Sequence, residues 1–163
     1  MKEENIQVRV AQYLATTYPS VQFHSDFGSG CKLTKGQAIK QKRQNAGRRG
    51  WPDLFIAQPK HIWDTNKSLG VRIGFADDGE AVLYSQIVAG LFIELKKDGV
   101  KLYPGKRAKN RFLSIDGKEY KTEHLKEQAD VIYELNQRGY IAKFAVGFEE
   151  AKQIIDDYLG DNL

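Results

Sequence analysis

A single cysteine, Cys31, stands in this chain of 163 residues. It forbids an internal disulfide and any cysteine-rich zinc site. A reducing, intracellular setting, the cytoplasm, is the natural reading. Long apolar runs are missing too. The longest, Ile87–Ile93, is far short of a membrane span, so no membrane partner is expected. The opening Met1-Lys2-Glu3-Glu4-Asn5 is acidic and polar, unlike a secretory leader. No internal repeat or low-complexity linker interrupts the chain. Acidic residues are absent from one whole stretch: residues 27–52 hold Lys32, Lys35, Lys40, Lys42, Arg43, Arg48 and Arg49 with no acid. Residues 96–111 add Lys96, Lys97, Lys101, Lys106, Arg107, Lys109 and Arg111 against Asp98 alone. The two stretches net +13 in a chain that nets +4, so the remainder nets −9. Acidity broken by two basic stretches points to an anionic partner such as nucleic acid on one surface; two solvated loops are the plain alternative.

What is present suffices for a folded core. Apolar residues make up 41% and aromatics 11%, and a domain of this length buries roughly 70% of its unfolded surface. One domain over 1–163 is expected. Ile6, Val10, Tyr13 and Leu14 recur at helical spacing, so residues 3–17 read as a helix that Tyr18-Pro19 ends. Val21–His24 reads as a short strand and Gly28-Ser29-Gly30 as a loop. Thr34-Lys35-Gly36-Gln37 fits a capping box, which places a basic helix over 35–46 with Gly47 as its C-terminal cap. Pro52–Ala57 and Leu91–Lys96 are apolar strands. Alternation over 71–75, a turn at Asp77-Asp78-Gly79-Glu80 and the return at Ala81–Tyr84 predict a β-hairpin inside a 58–89 insertion. Phe112–Ile115 and Glu119–Lys121 predict a second hairpin. Thr122 caps a helix over 123–138, Gly139 stops it, Tyr140–Val146 is a strand, and Phe148–Leu159 a final helix. The sum is a mixed α/β (α+β) domain: a central mixed sheet flanked by helices, with an inserted hairpin.

Two of these strands carry charge where a buried strand should not. Asp53 opens one, and Glu94 and Lys96 close the other. Strand side chains alternate, so Glu94 and Lys96 share a face. If Asp53 lies on the neighbouring strand, two carboxylates and an ammonium converge. Such a set suits Mg²⁺, with Mn²⁺ as substitute, because these ions take oxygen ligands and keep waters. A lysine beside the metal can hold or help deprotonate a bound water, which is equipment for phosphodiester hydrolysis. A strand-end ion pair without function is the plain alternative.

Gly47-Arg48-Arg49-Gly50-Trp51-Pro52-Asp53-Leu54, then Gly90-Leu91-Phe92-Ile93-Glu94-Leu95-Lys96, then Gln128 on a helix running into Gly139-Tyr140, together resemble the VRR-NUC family of the PD-(D/E)XK nuclease superfamily. Glu3-x-x-Ile6-Gln7 resembles its opening helix, and Ala142–Val146 followed by Glu149-Glu150-Ala151 its closing elements. The likeness spans most of the chain outside 58–89 and 98–121. It implies a restriction-endonuclease-like core. It also implies that Asp53 and Glu94, with the Leu95 carbonyl, hold the metal; that Lys96 orients the attacking water; and that Gln128 and Glu3 complete the site. Compact members of the family imply a homodimer that cuts branched DNA, four-way (Holliday) junctions first, with no small-molecule cofactor. A restriction-type or general nuclease and a non-catalytic DNA-binding module are the alternatives. The interval between Asp53 and Glu94 is longer than the family's usual connection.

Independent support comes from helical faces. Glu3 is spaced with Ile6 and Val10, which sets it toward the core, and Gln128 shares a face with Leu125 and Ile132. A first-turn acid favouring the helix dipole and a backbone-bonded core amide are the plain readings of the two. Glu4 is the rival to Glu3. His24, His61 and His124 lack metal-ligand spacing, Gly28-Ser29-Gly30 lacks the rest of a phosphate loop, and Trp51 before Pro52 is expected in the core, with a base-stacking platform as the alternative.

Overall fold

The computed structural model describes residues 2–25, 34–36, 40, 50–62, 73–75, 81–83 and 86–160. Their elements, in chain order, are α1 (Glu3–Thr17), β1 (Phe23–Ser25), β2 (Leu54–Ile56), β3 (Lys60–Ile62), β4 (Ile73–Phe75), β5 (Ala81–Leu83), β6 (Gln86–Val88), β7 (Leu91–Lys96), β8 (Phe112–Leu113), β9 (Glu119–Tyr120), α2 (Glu123–Gln137), β10 (Ile141–Val146) and α3 (Phe148–Leu159). Lys35, Gly36 and Lys40 are helical; the rest of the helix expected over 35–46, Gly47 and the Gly28-Ser29-Gly30 loop lie outside the described residues.

β7 is the spine. All six of its residues are buried, the reason for its unbroken apolar run apart from Glu94 and Lys96. It pairs antiparallel with β2 (Leu54↔Ile93) and parallel with β10 (Ala142↔Phe92). β1 extends the other side of β2, giving the mixed order β1-β2-β7-β10. Parallel pairing of β7 and β10 requires a crossover, and α2 supplies it.

The alternation of β7 divides two cores. Leu91, Ile93 and Leu95 pack with Ile6, Val10 and Leu14 of α1 and with Ala151 and Ile155 of α3. Phe92, on the opposite face, packs with Leu135 of α2 and with Phe55 and Tyr140. Thr122 caps α2 by accepting the Leu125 N–H at 3.2 Å. Gly139 ends that turn at φ +83°, in the left-handed region glycine adopts without penalty.

The 58–89 insertion contains the expected hairpin, β4 against β5 with Ile73↔Leu83. It also contains a pair that alternation does not announce: β3 against β6, with Lys60↔Val88. The connecting turn at 76–80 lies outside the described residues.

β10 is an edge strand, and the chain covers part of that edge. Ile141 N–H donates to the Gly90 carbonyl and Gly147 N–H to that of Lys96, so odd positions face β7 and even ones turn outward. The Asn136 side-chain amide takes both main-chain groups of Ala142, each at 3.0 Å. Glu150 accepts the Val146 N–H at 2.9 Å.

Candidate active site

The residue before β2 and the last turn of β7 meet. The register Leu54↔Ile93, carried one residue on, sets Asp53 opposite Glu94. Asp53 Oδ2 accepts the Leu95 N–H at 2.9 Å. Glu94 and Lys96, two apart on one strand, point to the α2 side, and Lys96 Nζ lies 2.5 Å from Glu94 Oε1. Gln128, on the inner face of α2, donates through its side-chain nitrogen to the same Glu94 oxygen. Glu3, from the first turn of α1, accepts from Lys96 Nζ at 3.1 Å.

The side chains expected to form the catalytic cluster, Glu3, Asp53, Glu94, Lys96 and Gln128, thus arrive at one place. Glu94 is 2% exposed, Gln128 5%, Lys96 8% and Asp53 9%. The Glu3 side chain differs from expectation: it is 48% exposed, because it reaches past the helix end to Lys96 rather than into the core. Leu95 itself points the other way, into the core between the sheet, α1 and α3.

The loop into the site is pinned. Gly50 has φ +79°, and a Cβ there would stand 3.0 Å from the Gln128 nitrogen and the Glu127 carbonyl group of α2. No other residue type fits this approach.

Charge in the cluster is unbalanced: Asp53, Glu94 and Glu3 against Lys96. Burial pushes Glu94 up to about 8, the Asp53 and Glu3 charges add to the rise, and Lys96 counters it in part. Burial lowers the Lys96 pKa, but Glu94 and Glu3 outweigh it and hold the ammonium above its ordinary value. Glu94 is thus raised mainly by burial, and Lys96 by the carboxylates that face it.

Two oxygens remain unsatisfied. Glu94 Oε2 and Gln128 Oε1 are buried without a hydrogen-bond partner among the described residues. Each such atom costs about 1–3 kcal/mol unless something answers it. Among the described residues no group of three or more His, Cys, Asp or Glu is arranged to hold a metal. The oxygens that meet here belong to the Asp53 and Glu94 carboxylates and the Gln128 amide, and oxygen donors of this kind would suit a hard divalent cation rather than a soft one.

These residues line a cleft of about 280 Å³. Glu4, the rival to Glu3, lines it as well, and so do Gln7, Trp51 and His124, to which the sequence reading gives no catalytic role. Two of them were within its reach: Gln7 is one helical turn from Glu3, and His124 one turn from Gln128. Trp51 is 57% exposed, which corrects the expectation that it lies in the core. Pro52 and Asp53 are buried instead, so the chain turns inward only after the indole.

Lys35, Lys40, Lys97, Lys101, Lys106, Arg107, Lys109 and Arg111 are exposed. Arg111 is tied to Glu119 at 2.7 Å and to the Lys106 carbonyl at 3.2 Å, so it braces the β8–β9 hairpin. Lys32, Lys42, Arg43, Arg48 and Arg49, with Cys31, lie outside the described residues. No described helix is long and apolar enough to cross a membrane.

No family model and no curated protein matches the chain. Among solved structures, a VRR_NUC domain protein superposes with a TM-score of 0.52 at 20% identity, over 98% of this chain and 89% of that one. At this identity the likeness is one of fold. The mixed sheet with flanking helices expected from the sequence is the architecture the two share.

Proposed function

We propose that this chain is a metal-dependent nuclease of the VRR-NUC type that hydrolyses DNA phosphodiester bonds. The observation that carries the reading is the pair of buried, unanswered oxygens on Glu94 and Gln128, set in a cleft with Asp53 and Lys96. The likeness of fold to a VRR_NUC domain protein supports it.

Asp53, Glu94 and the Leu95 carbonyl would hold Mg²⁺, or Mn²⁺ in its place. When bound, the ion supplies Lewis-acid polarisation of a phosphoryl oxygen and lowers the pKa of water. The chain's own groups set the stage. Gln128 fixes one Glu94 oxygen by donating to it, which leaves the other free to face the cleft. The Asp53 bond to Leu95 N–H locks its carboxylate against β7. Lys96, held between Glu94 and Glu3, offers its ammonium to an attacking water or to the charge that develops on phosphate. Exposed lysines of the segment after β7 bind DNA phosphates without reading sequence.

The substrate is branched DNA, four-way junctions first, cut by a homodimer with one site per subunit. This rests on the motif resemblance to compact VRR-NUC proteins. The test is cleavage of labelled junction, flap and plain duplex with Mg²⁺ or Mn²⁺ by wild type, Glu94→Ala and Lys96→Ala. Junction cutting that both variants abolish supports the proposal. Equal cutting of all three substrates points to a general nuclease, and binding without cutting to a non-catalytic module.

A further inference from the structure

Trp51 is the feature of the cleft that hydrolysis does not use. It lines the same cavity as Asp53, Glu94 and Lys96, two residues from Asp53, yet 57% of it faces solvent. An indole covers about 150–250 Å² when buried, so leaving one in water forgoes a large apolar gain. Its position is rigid. Gly50 before it is pinned on α2, and Pro52 after it is buried. The indole meets Phe92 with ring centroids 5.6 Å apart and planes at 82°. Phe92 is itself stacked on Phe55 at 4.4 Å and braced by Tyr140 at 5.3 Å. In a perpendicular contact Phe92 can cover at most one face of the indole. With 57% of the residue in solvent, much of the indole surface stays open to a further contact.

We propose that Trp51 is a stacking platform for an unpaired nucleobase of the DNA, and that it gives the cleft its preference for branched over continuous duplex. The inference rests on the nuclease reading above and names what that site recognises. A continuous duplex keeps its bases stacked on one another and has none to offer. A branch point interrupts the continuous stack, and a base that is unpaired or opens there offers a free π-face. Stacking such a base on an aromatic side chain contributes about 1–3 kcal/mol without regard to sequence. A rigid platform loses little freedom when the base arrives. The exposed lysines that follow β7 would hold the backbone while the indole holds the base.

The experiment compares wild type, Trp51→Leu and Trp51→Phe on a duplex with an unpaired base at a branch and on the same duplex without it, in Mg²⁺. Leucine keeps an apolar cover over Phe92 but has no π-face; phenylalanine keeps a smaller one. Trp51→Leu should lower kcat/KM on the branched substrate roughly tenfold more than on continuous duplex, with Trp51→Phe in between. An abasic site moved through the branch of the substrate should find one position that reproduces the loss in wild type, without a change in the protein. At that position Trp51→Leu should lose nothing further. An unchanged branched-to-duplex ratio in Trp51→Leu, or an abasic scan with no sensitive position, overturns the proposal. If wild type cuts nothing, the nuclease reading fails separately. The platform is then judged by indole emission, with Trp51→Phe subtracted to isolate Trp51. Quenching by branched but not continuous DNA supports it, and equal or absent quenching overturns it.

Discussion

Asp53 Oδ2 and the Leu95 N–H are joined at 2.9 Å, which ties the residue before β2 to the strand that carries Glu94 and Lys96. One side chain therefore positions a strand and presents a charge. The two tasks separate by mutation. Asp53→Ala leaves a buried N–H without its acceptor and should cost about 1–3 kcal/mol of stability. Asp53→Asn keeps an oxygen for Leu95 and should unfold close to wild type. Both should lose cleavage by at least about 100-fold, since neither carries the charge. Thermal unfolding beside a cleavage assay checks this, and near-normal cutting by Asp53→Asn would remove the charge from the chemistry.

The raised pKa of Glu94 gives the metal-free protein an unusual pH response. The folded state holds a proton that the unfolded chain releases near the ordinary value of 4.5. That contribution to stability is complete below 4.5 and is lost as pH rises through about 8. In EDTA the melting temperature should fall over this window, and Glu94→Gln should flatten the slope. A cation competes with the same proton, so Mg²⁺ affinity should climb with pH over that range by up to about tenfold per unit. Calorimetric titrations near pH 6 and pH 8 measure it, and equal affinities at the two would contradict it.

Asp156 is a second carboxylate with the opposite behaviour. It accepts from the Tyr18 hydroxyl at 2.9 Å, from that of Tyr13, and from Lys152 at 2.6 Å, and so clasps α1 to α3. Burial would raise its pKa, but Lys152 and the two hydroxyls prevail and hold it below the ordinary carboxylate value. Its stabilisation is present above that ordinary value and lost as pH falls through the depressed one. Asp156→Ala should destabilise by about 1–3 kcal/mol. Denaturant melts at pH 7 and at pH 3 should differ less for the variant than for wild type.

Salt should weaken DNA binding steeply, because each neutralised phosphate releases a counterion. Replacing Lys97, Lys101, Lys106 and Lys109 by Gln should flatten the slope of log affinity against log salt by about 0.9 for each true contact. Arg111→Gln should change it less, since that guanidinium is engaged with Glu119. An unchanged slope in the lysine variant would take the segment out of the interface.

Much of this molecule can be read before folding, and the exceptions have physical causes. α1, α2 and α3 follow from apolar spacing and from Thr122 and Gly139 as caps. β7 follows from its apolar run, and the convergence of Asp53, Glu94 and Lys96 from strand alternation. β3 and β6 were hidden because each is three residues long and they flank another hairpin. Strand β1 lies at Phe23–Ser25, a little later than the expected Val21–His24, since its limits are set by pairing with β2. Trp51 misled for a different reason: composition says an indole should be inside, and only the path of the chain through Gly50 and Pro52 holds it out.

The side chains that cover β10 bear on how two copies could meet. A bare edge invites another strand, and sheets that grow this way end as fibres. Here Ala142 and Val146 are already occupied by Asn136 and Glu150, so an incoming strand finds no continuous row of partners. A further strand could join at β10 only by displacing these side chains, so this edge does not offer itself for growth of the sheet. Asn136 and Glu150 act as stops: each already fills main-chain groups that another strand would need.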